Sequence, residues 1–331
     1  MNIRFLAPLT QNIRNGNTVT CERWRSFFQD LGHRVFMGEE ALYERCDLLV
    51  VFNACKNRRA LSSFMERGPA QRLIVCLTGT DLYQDLKDDP GADEALRLAD
   101  QLVVLHPLAL KELPCEYRDK AMVIFQSAEK PRNRPPVKSD GFDICVIAHL
   151  REVKDPLRAA YAARLLPPDS GVRVLLVGKA LSEELGAAAE REMTVNRRFR
   201  WLGEKSAEDT AGILLGSRLL VVSSLFEGGA NVVSEAIVSG VPVVGSDMAC
   251  MRGLLGEDYP GLFPVGDTRR LADLLLRAER DEGFYAELVE RCQRESRKFD
   301  PALERESLKI LLERAWARES TAGFLLPSAL G

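Results

Sequence analysis

The chain has 331 residues, 46% of them hydrophobic and 28% charged, with a formal net charge of −3. That length suffices for two hydrophobic cores, and the apolar content excludes a disordered protein. The mild acidity argues against an extended basic face for nucleic acid or an anionic membrane.

In chain order, residues 2–7 read as a short buried strand. After a loop, Val19, Trp24, Phe27, Phe28 and Leu31 fall at mixed three- and four-residue spacing before Gly32. That pattern predicts an amphipathic helix with a glycine stop. Apolar runs of strand length follow at 47–52, 72–77, 101–105 and 121–125. Residues 129–141 hold three prolines, mixed charges and a closing glycine, and read as an inter-domain linker. The second half begins the same way, with a strand at 142–148 and a helix at 157–166 closed by Pro167-Pro168. Further runs stand at 172–177, 198–201, 217–222 and 241–244, with a helix from near Ala230 to Gly240. Runs that are continuous rather than alternating suit strands buried on both faces of a parallel sheet. The expected fold is α/β, two facing doubly wound parallel-sheet domains with ligands at the strand ends.

Several chemistries are excluded. Neither first strand is followed by G-x-G-x-x-G, and G-x-x-x-x-G-K-[ST] is absent, which removes most nicotinamide and P-loop enzymes. No apolar run reaches the length of a signal-peptide core or a membrane span, so a cytoplasmic protein is expected. The eight cysteines form no C-x-x-C pair and read as small buried hydrophobes of a reducing compartment. No D-x-D occurs, so no metal-bound diphosphate is indicated, and neither metal nor cofactor is expected.

Residues 217–246 are the most informative stretch. The strand there ends in a loop with Glu227, Gly228 and Gly229, and a helix starts near Ala230. Glycines allow the backbone to approach a ligand, and a helix N-terminus offers amides and a positive dipole end to phosphate. Glu227 and Glu235 are placed to accept hydrogen bonds from the hydroxyls of a polyol; the plain alternative is a pair of solvated helix-end charges.

This segment resembles the donor-site signature of GT-B glycosyltransferases, and more narrowly of glycosyltransferase family 4. The resemblance rests on Glu227, Glu235-Ala236 and Gly240-Val241-Pro242. Arg151 and Lys154 stand in His-Leu-Arg-Glu-Val-Lys-Asp, Trp201-Leu202-Gly203 lies ahead of the nucleotide loop, and Val265-Gly266-Asp267 precedes Leu271-Ala272. It implies a GT-B architecture of two facing Rossmann-like domains, residues 1–128 and 142–300. A last helix at 301–317 returns to the first domain. By family role, Glu235 holds the ribose, while Glu227 and the backbone of Gly228, Gly229, Ala230 and Asn231 hold the sugar. Arg151 and Lys154 neutralise the leaving diphosphate, so Arg151, Lys154 and Glu227 carry the catalysis. His149 and Gly203 complete the donor site.

The first half bears on the acceptor. Arg14, Asn15, Gly16, Asn17 and Thr18 precede the first helix. Asn17 or Thr18 can cap it, and Arg14 with the amides of residues 16–18 makes a small anion site. Thr78, Thr80 and Asp81 leave the third strand towards the cleft, and His106-Pro107 ends the next, where the histidine suits a structural hydrogen bond as well as a role at the acceptor. The combination resembles the selenosugar synthase branch of selenoneine biosynthesis, on Asn15–Thr20, Leu77–Tyr83, Val104–Leu110, Val153–Ala159, Glu227–Ala236 and Gly256–Gly261. One departure is Asn53–Arg59, with Arg58 and Arg59, where the branch tends to carry a histidine. The resemblance implies sugar transfer from UDP-N-acetylglucosamine or UDP-glucose to selenophosphate, giving a 1-selenosugar. The partners are then small molecules, with no nucleic acid and no membrane span. Two alternatives stay open, a family-4-like enzyme acting on a sugar or lipid hydroxyl and a non-catalytic nucleotide-sugar binder.

Overall fold

The computed structural model describes residues 1–7, 15–38, 46–53, 55, 57, 71–79, 81–85, 90–130 and 141–317. Arg14, Arg58, Arg59, Thr80 and most of the expected linker, 131–140, lie outside the described residues. The chain divides into two units, Met1–Gln126 with the segment from Pro301, and Ser127–Asp300.

The first unit is built on β1 (Asn2–Leu6), β2 (Arg34–Met37), β3 (Leu48–Phe52), β4 (Arg72–Cys76), β5 (Gln101–Val104) and β6 (Ala121–Val123). Their order is β2-β1-β3-β4-β5-β6, and all the pairings are parallel. The second contains β7 (Phe142–Ile147), β8 (Val172–Val177), β9 (Phe199–Trp201), β10 (Leu219–Val222), β11 (Val243–Ser246) and β12 (Leu262–Phe263). Its order is β12-β11-β10-β7-β8-β9, again parallel throughout. Both are doubly wound α/β units of Rossmann type. The order reverses between β1 and β3 in one and between β7 and β10 in the other. Loops splay apart at such a point, opening a crevice beyond the strand ends.

The expected runs became strands because they are apolar on both faces; every residue of β3, β5 and β10 is buried. The differences have local causes. The run at 241–244 starts late, at Val243, because Pro242 has no N–H for the ladder. Arg34–Met37, with alternately exposed and half-buried residues, is an edge strand that no apolar run announces. The first helix, Gly16–Asp30, is capped by Asn15, whose side chain accepts from the Thr18 amide. Asn17 and Thr18, the expected caps, lie inside its first turn. Gly32 ends it at φ +84°, the left-handed stop its position implies.

Helix Gly16–Asp30 buries Trp24 and Phe28 against Phe5 and Phe52, with ring centroids 5.2–5.8 Å apart. Helix Pro301–Ala317 adds Leu308, Leu311, Leu312 and Ala315 to that core. The junction is polar. The buried Glu304 carboxylate accepts from the Trp24 indole at 2.7 Å and from Arg23 Nε at 2.7 Å and Nη2 at 3.2 Å. A buried carboxylate survives only with such partners.

Burial pushes the thiols of Cys21, Cys76 and Cys145 up, the last to about 12, which keeps them inert. Among the described residues, no helix is long and apolar enough to cross a membrane.

Glu304→Ala should cost about 3 kcal/mol or more, because it leaves a guanidinium and an indole N–H without this acceptor. Glu304→Gln, which keeps an acceptor for Trp24, should cost less. Urea unfolding monitored by tryptophan fluorescence checks both, and wild-type midpoints would refute the role given to this junction.

Candidate functional site

At the reversal point of the second unit, β7 and β10 each release a loop. The chain leaving β7 passes Ala148, His149 and Leu150, and Arg151 then caps a short 3-10 turn, Glu152–Lys154. Asp155 ends the turn in the left-handed region at φ +42°. The chain leaving β10 runs through Ser223, Ser224, Leu225, Glu227, Gly228 and Gly229 to helix Asn231–Val238.

These two loops are lashed together. The Leu225 amide donates to the Val153 carbonyl at 2.8 Å. Ser223 Oγ donates to the Asp155 carbonyl at 2.8 Å. Lys154 Nζ forms an ion pair with Glu227 Oε1, and Ser224 Oγ donates to the same oxygen at 2.6 Å. The pair is part-buried, with side-chain exposures of 22% for Lys154 and 10% for Glu227, so screening is weak. An ammonium has three N–H donors, so Lys154 can hold Glu227 and still meet an incoming oxyanion. Arg151 is exposed at the mouth of the same turn.

The neighbouring strand ends are fixed just as tightly. Gly178, after β8, sits at φ +155°, where a Cβ would run into the Ala148 carbonyl. Its amide donates to the Gly203 carbonyl at 2.9 Å, and its own carbonyl accepts from Trp201 Nε1 at 2.9 Å. The Lys179 amide donates to His149 Nδ1 at 3.1 Å, so in the neutral ring the proton resides on Nε2. Gly203 turns at φ +71°.

Helix Asn231–Val238 buries Val233, Ser234, Ala236 and Ile237, and Glu235 is half-buried one turn in. Ala230 at its N-cap has no polar side chain to bond the first-turn amides. Gly240 stops the helix at φ +71°. The structure thus brings Lys154 and Glu227 into contact and sets His149, Arg151, Gly203 and the helix start on strand ends of one sheet. Sequence reasoning missed Ser223, Ser224 and Gly178. Two serines after an all-apolar strand, and a glycine at the same place after β8, were the available signals.

In the first unit several expected acceptor residues take other parts. The Thr18 amide is spent on the Asn15 cap, so the amides of residues 16–18 do not form one anion site. Gly16 and Asn17 open the helix beside it. Asp81 is fully buried and does not face outward. Its carboxylate accepts from the amides of Thr78, Gly79 and Leu82 at 2.8–3.2 Å, pinning the loop after β4. His106 is likewise fully buried, with Nε2 2.8 Å from the Tyr83 hydroxyl. Burial lowers its pKa to about 4, so the ring is neutral at pH 7. Among the described residues, no cluster of three His, Cys, Asp or Glu side chains is placed to hold a metal.

The model of the family described as glycosyl transferases group 1 matches residues 94–299. Among solved structures, the chain is similar to Anabaena Alr3699/HepE in complex with UDP-glucose, at 17% identity over 95% of this chain and 99% of that one, with a TM-score of 0.77. It is similar to sucrose-phosphate synthase from Thermosynechococcus elongatus, at 14% identity over 96% and 100%, TM-score 0.78. A glycosyltransferase from Rickettsia africae ESF-5 matches at 13% identity over 95% and 98%, TM-score 0.70. No curated protein sequence matches the chain. At such identities the structural likeness is one of fold.

Gly178→Ala should destabilise the protein by about 2 kcal/mol or more, since backbone must move to admit the methyl group. Gly212→Ala, on a helix with open space around it, should be neutral or stabilising. Equal urea midpoints for the two variants would contradict the close approach assigned to Gly178.

Proposed function

Because the chain belongs to the glycosyl transferases group 1 family and has the GT-B fold of two Rossmann-like units, we propose that this glycosyltransferase takes its sugar from a UDP-sugar and passes it to selenophosphate. The observation that carries the donor half is the Lys154–Glu227 pair, held with Ser224 at the reversal point beside an N-terminal helix end. Such a point takes nucleotide ligands by virtue of the loop geometry, and the helix amides suit a diphosphate. Alr3699/HepE, whose fold this chain shares, is described in complex with UDP-glucose.

In this reading Glu235 accepts from the ribose hydroxyls, and Glu227 with the backbone of residues 228–231 holds the sugar. Arg151 and Lys154 stabilise the charge that builds on the departing UDP, a contribution of about 3–4 kcal/mol per well-placed donor. The C1–O bond to the diphosphate breaks and a C1–Se bond forms. Hydrolysis of the Se–P bond then releases phosphate and leaves the 1-selenosugar. Selenium in selenophosphate is already nucleophilic, so positioning does more than deprotonation.

The selenium acceptor is supported by the sequence resemblance of Asn15–Thr20, Leu77–Tyr83 and Val104–Leu110. In this reading Asn15 and Asp81 serve by holding the start of helix Gly16–Asp30 and the turn after β4.

The test is direct. Purified protein with selenophosphate and UDP-N-acetylglucosamine or UDP-glucose should release UDP and yield a selenium-containing sugar by mass spectrometry. Glu235→Ala and Lys154→Ala should each lower kcat/KM by about 100-fold or more while the protein stays folded at the assay temperature. Turnover with a hydroxyl acceptor but none with selenophosphate would overturn the acceptor. Wild-type rates in both variants would overturn the donor site.

A further inference from the structure

A cavity of about 570 Å³ opens in the second unit where β8 and β9 begin, away from the strand ends that bear Lys154 and Glu227. β8 has six residues, which places the two regions roughly 20 Å apart along the sheet. The cavity wraps the C-terminus of helix Glu183–Val195. Four of its lining side chains are arginines, Arg164, Arg197, Arg198 and Arg200, and none is a carboxylate. Met193 and the exposed Val195 add an apolar wall.

Three of these guanidiniums are held in place. Arg164 Nε bonds the buried Glu192 at 2.8 Å, while the Arg164 side chain stays 46% exposed. Arg198 Nη2 donates to the carbonyls of Pro167 at 2.5 Å and Ser170 at 3.2 Å. Arg200 Nη1 donates to the Phe199 carbonyl at 2.7 Å, and both Arg197 and Arg200 are exposed. Glu192 offsets one of the four charges, which leaves three concentrated on one concavity. The negative end of the helix dipole accounts for cations just past residue 195, but not for the approach of Arg164 and Arg200 from other elements. The volume falls in the range of small-ligand sites, and guanidinium forks match phosphate oxygens in pairs.

We infer that this cavity is a second ligand site, separate from the donor site, for a small molecule bearing two adjacent phosphate-type groups. Such a ligand offsets the three charges and meets the exposed guanidiniums, with the Met193–Val195 wall beside it.

Inorganic pyrophosphate is the probe. Isothermal titration is run at constant ionic strength, with and without saturating UDP, so that binding in place of UDP is separated from binding at the cavity. With UDP present, the wild type should bind pyrophosphate at one saturable site, tighter than sulfate. Arg197→Glu/Arg200→Glu should weaken that binding by about 10-fold or more and leave UDP affinity and turnover unchanged. Arg197→Gln/Arg200→Gln serves if the charge reversal perturbs folding. Absence of heat with UDP present, affinity no better than that of sulfate, or equal affinity in the variants would each overturn the site.

Discussion

The arrangement depends on one ion pair in particular, Lys154 with Glu227. Each residue sits on a loop that leaves the sheet at the point where strand order reverses, and neither loop contains a regular element long enough to hold itself. Hydrogen bonds from Leu225 to Val153 and from Ser223 to Asp155 bring the loops side by side. The ion pair, shared with Ser224, then fixes where a cation and a carboxylate stand. In a part-buried setting such a pair keeps more of its Coulomb attraction than an exposed one, and breaking it strands a charge. The cation and the carboxylate are therefore held in place by the loops themselves.

That local order rests on the rim around it. Gly178 lets the ends of β7 and β8 approach more closely than any side chain permits, and Trp201 and Gly203 clamp its peptide from the β9 side. The first unit solves a similar problem with an acid. Asp81 gives its carboxylate to three backbone amides, and Asn15 caps the helix that follows β1. In both units polar side chains at strand ends secure the loops, and fewer of them are left to meet a ligand than their sequence positions imply.

The strands were legible because continuous apolar runs leave few alternatives in a chain of this length. Gly32 and Gly240 marked helix ends for the reason expected, a left-handed residue past the last turn. Glu227 and Glu235 drew notice by their place on one strand–loop–helix unit, and Lys154, on the loop after β7, by the family resemblance; the structure pairs Lys154 with Glu227. What the sequence hid was orientation. Asp81 is as polar as Lys154, and nothing in its neighbours reveals that burial turns it inward, whereas the strand end before Pro107 left a structural role open for His106. The cap at Asn15 was missed in favour of Asn17 and Thr18 because three candidate capping residues fall within four positions, and only the backbone decides between them. The edge strand Arg34–Met37 had no apolar run to betray it. The arginine-lined cavity is assembled from a helix end, a strand start and a separate helix, so no single stretch of sequence contains it.

The central claim is that the lashed loops at the β7–β10 reversal bind the UDP-sugar as one preorganised unit. The most direct measurement is a double-mutant cycle on UDP affinity by calorimetry, using Lys154→Met, Glu227→Gln and both together. The account predicts that each single change weakens UDP binding by about 10-fold or more, and that the double variant loses far less than the product of the two. Independent, multiplicative losses, or UDP affinity unchanged in all three, would contradict it.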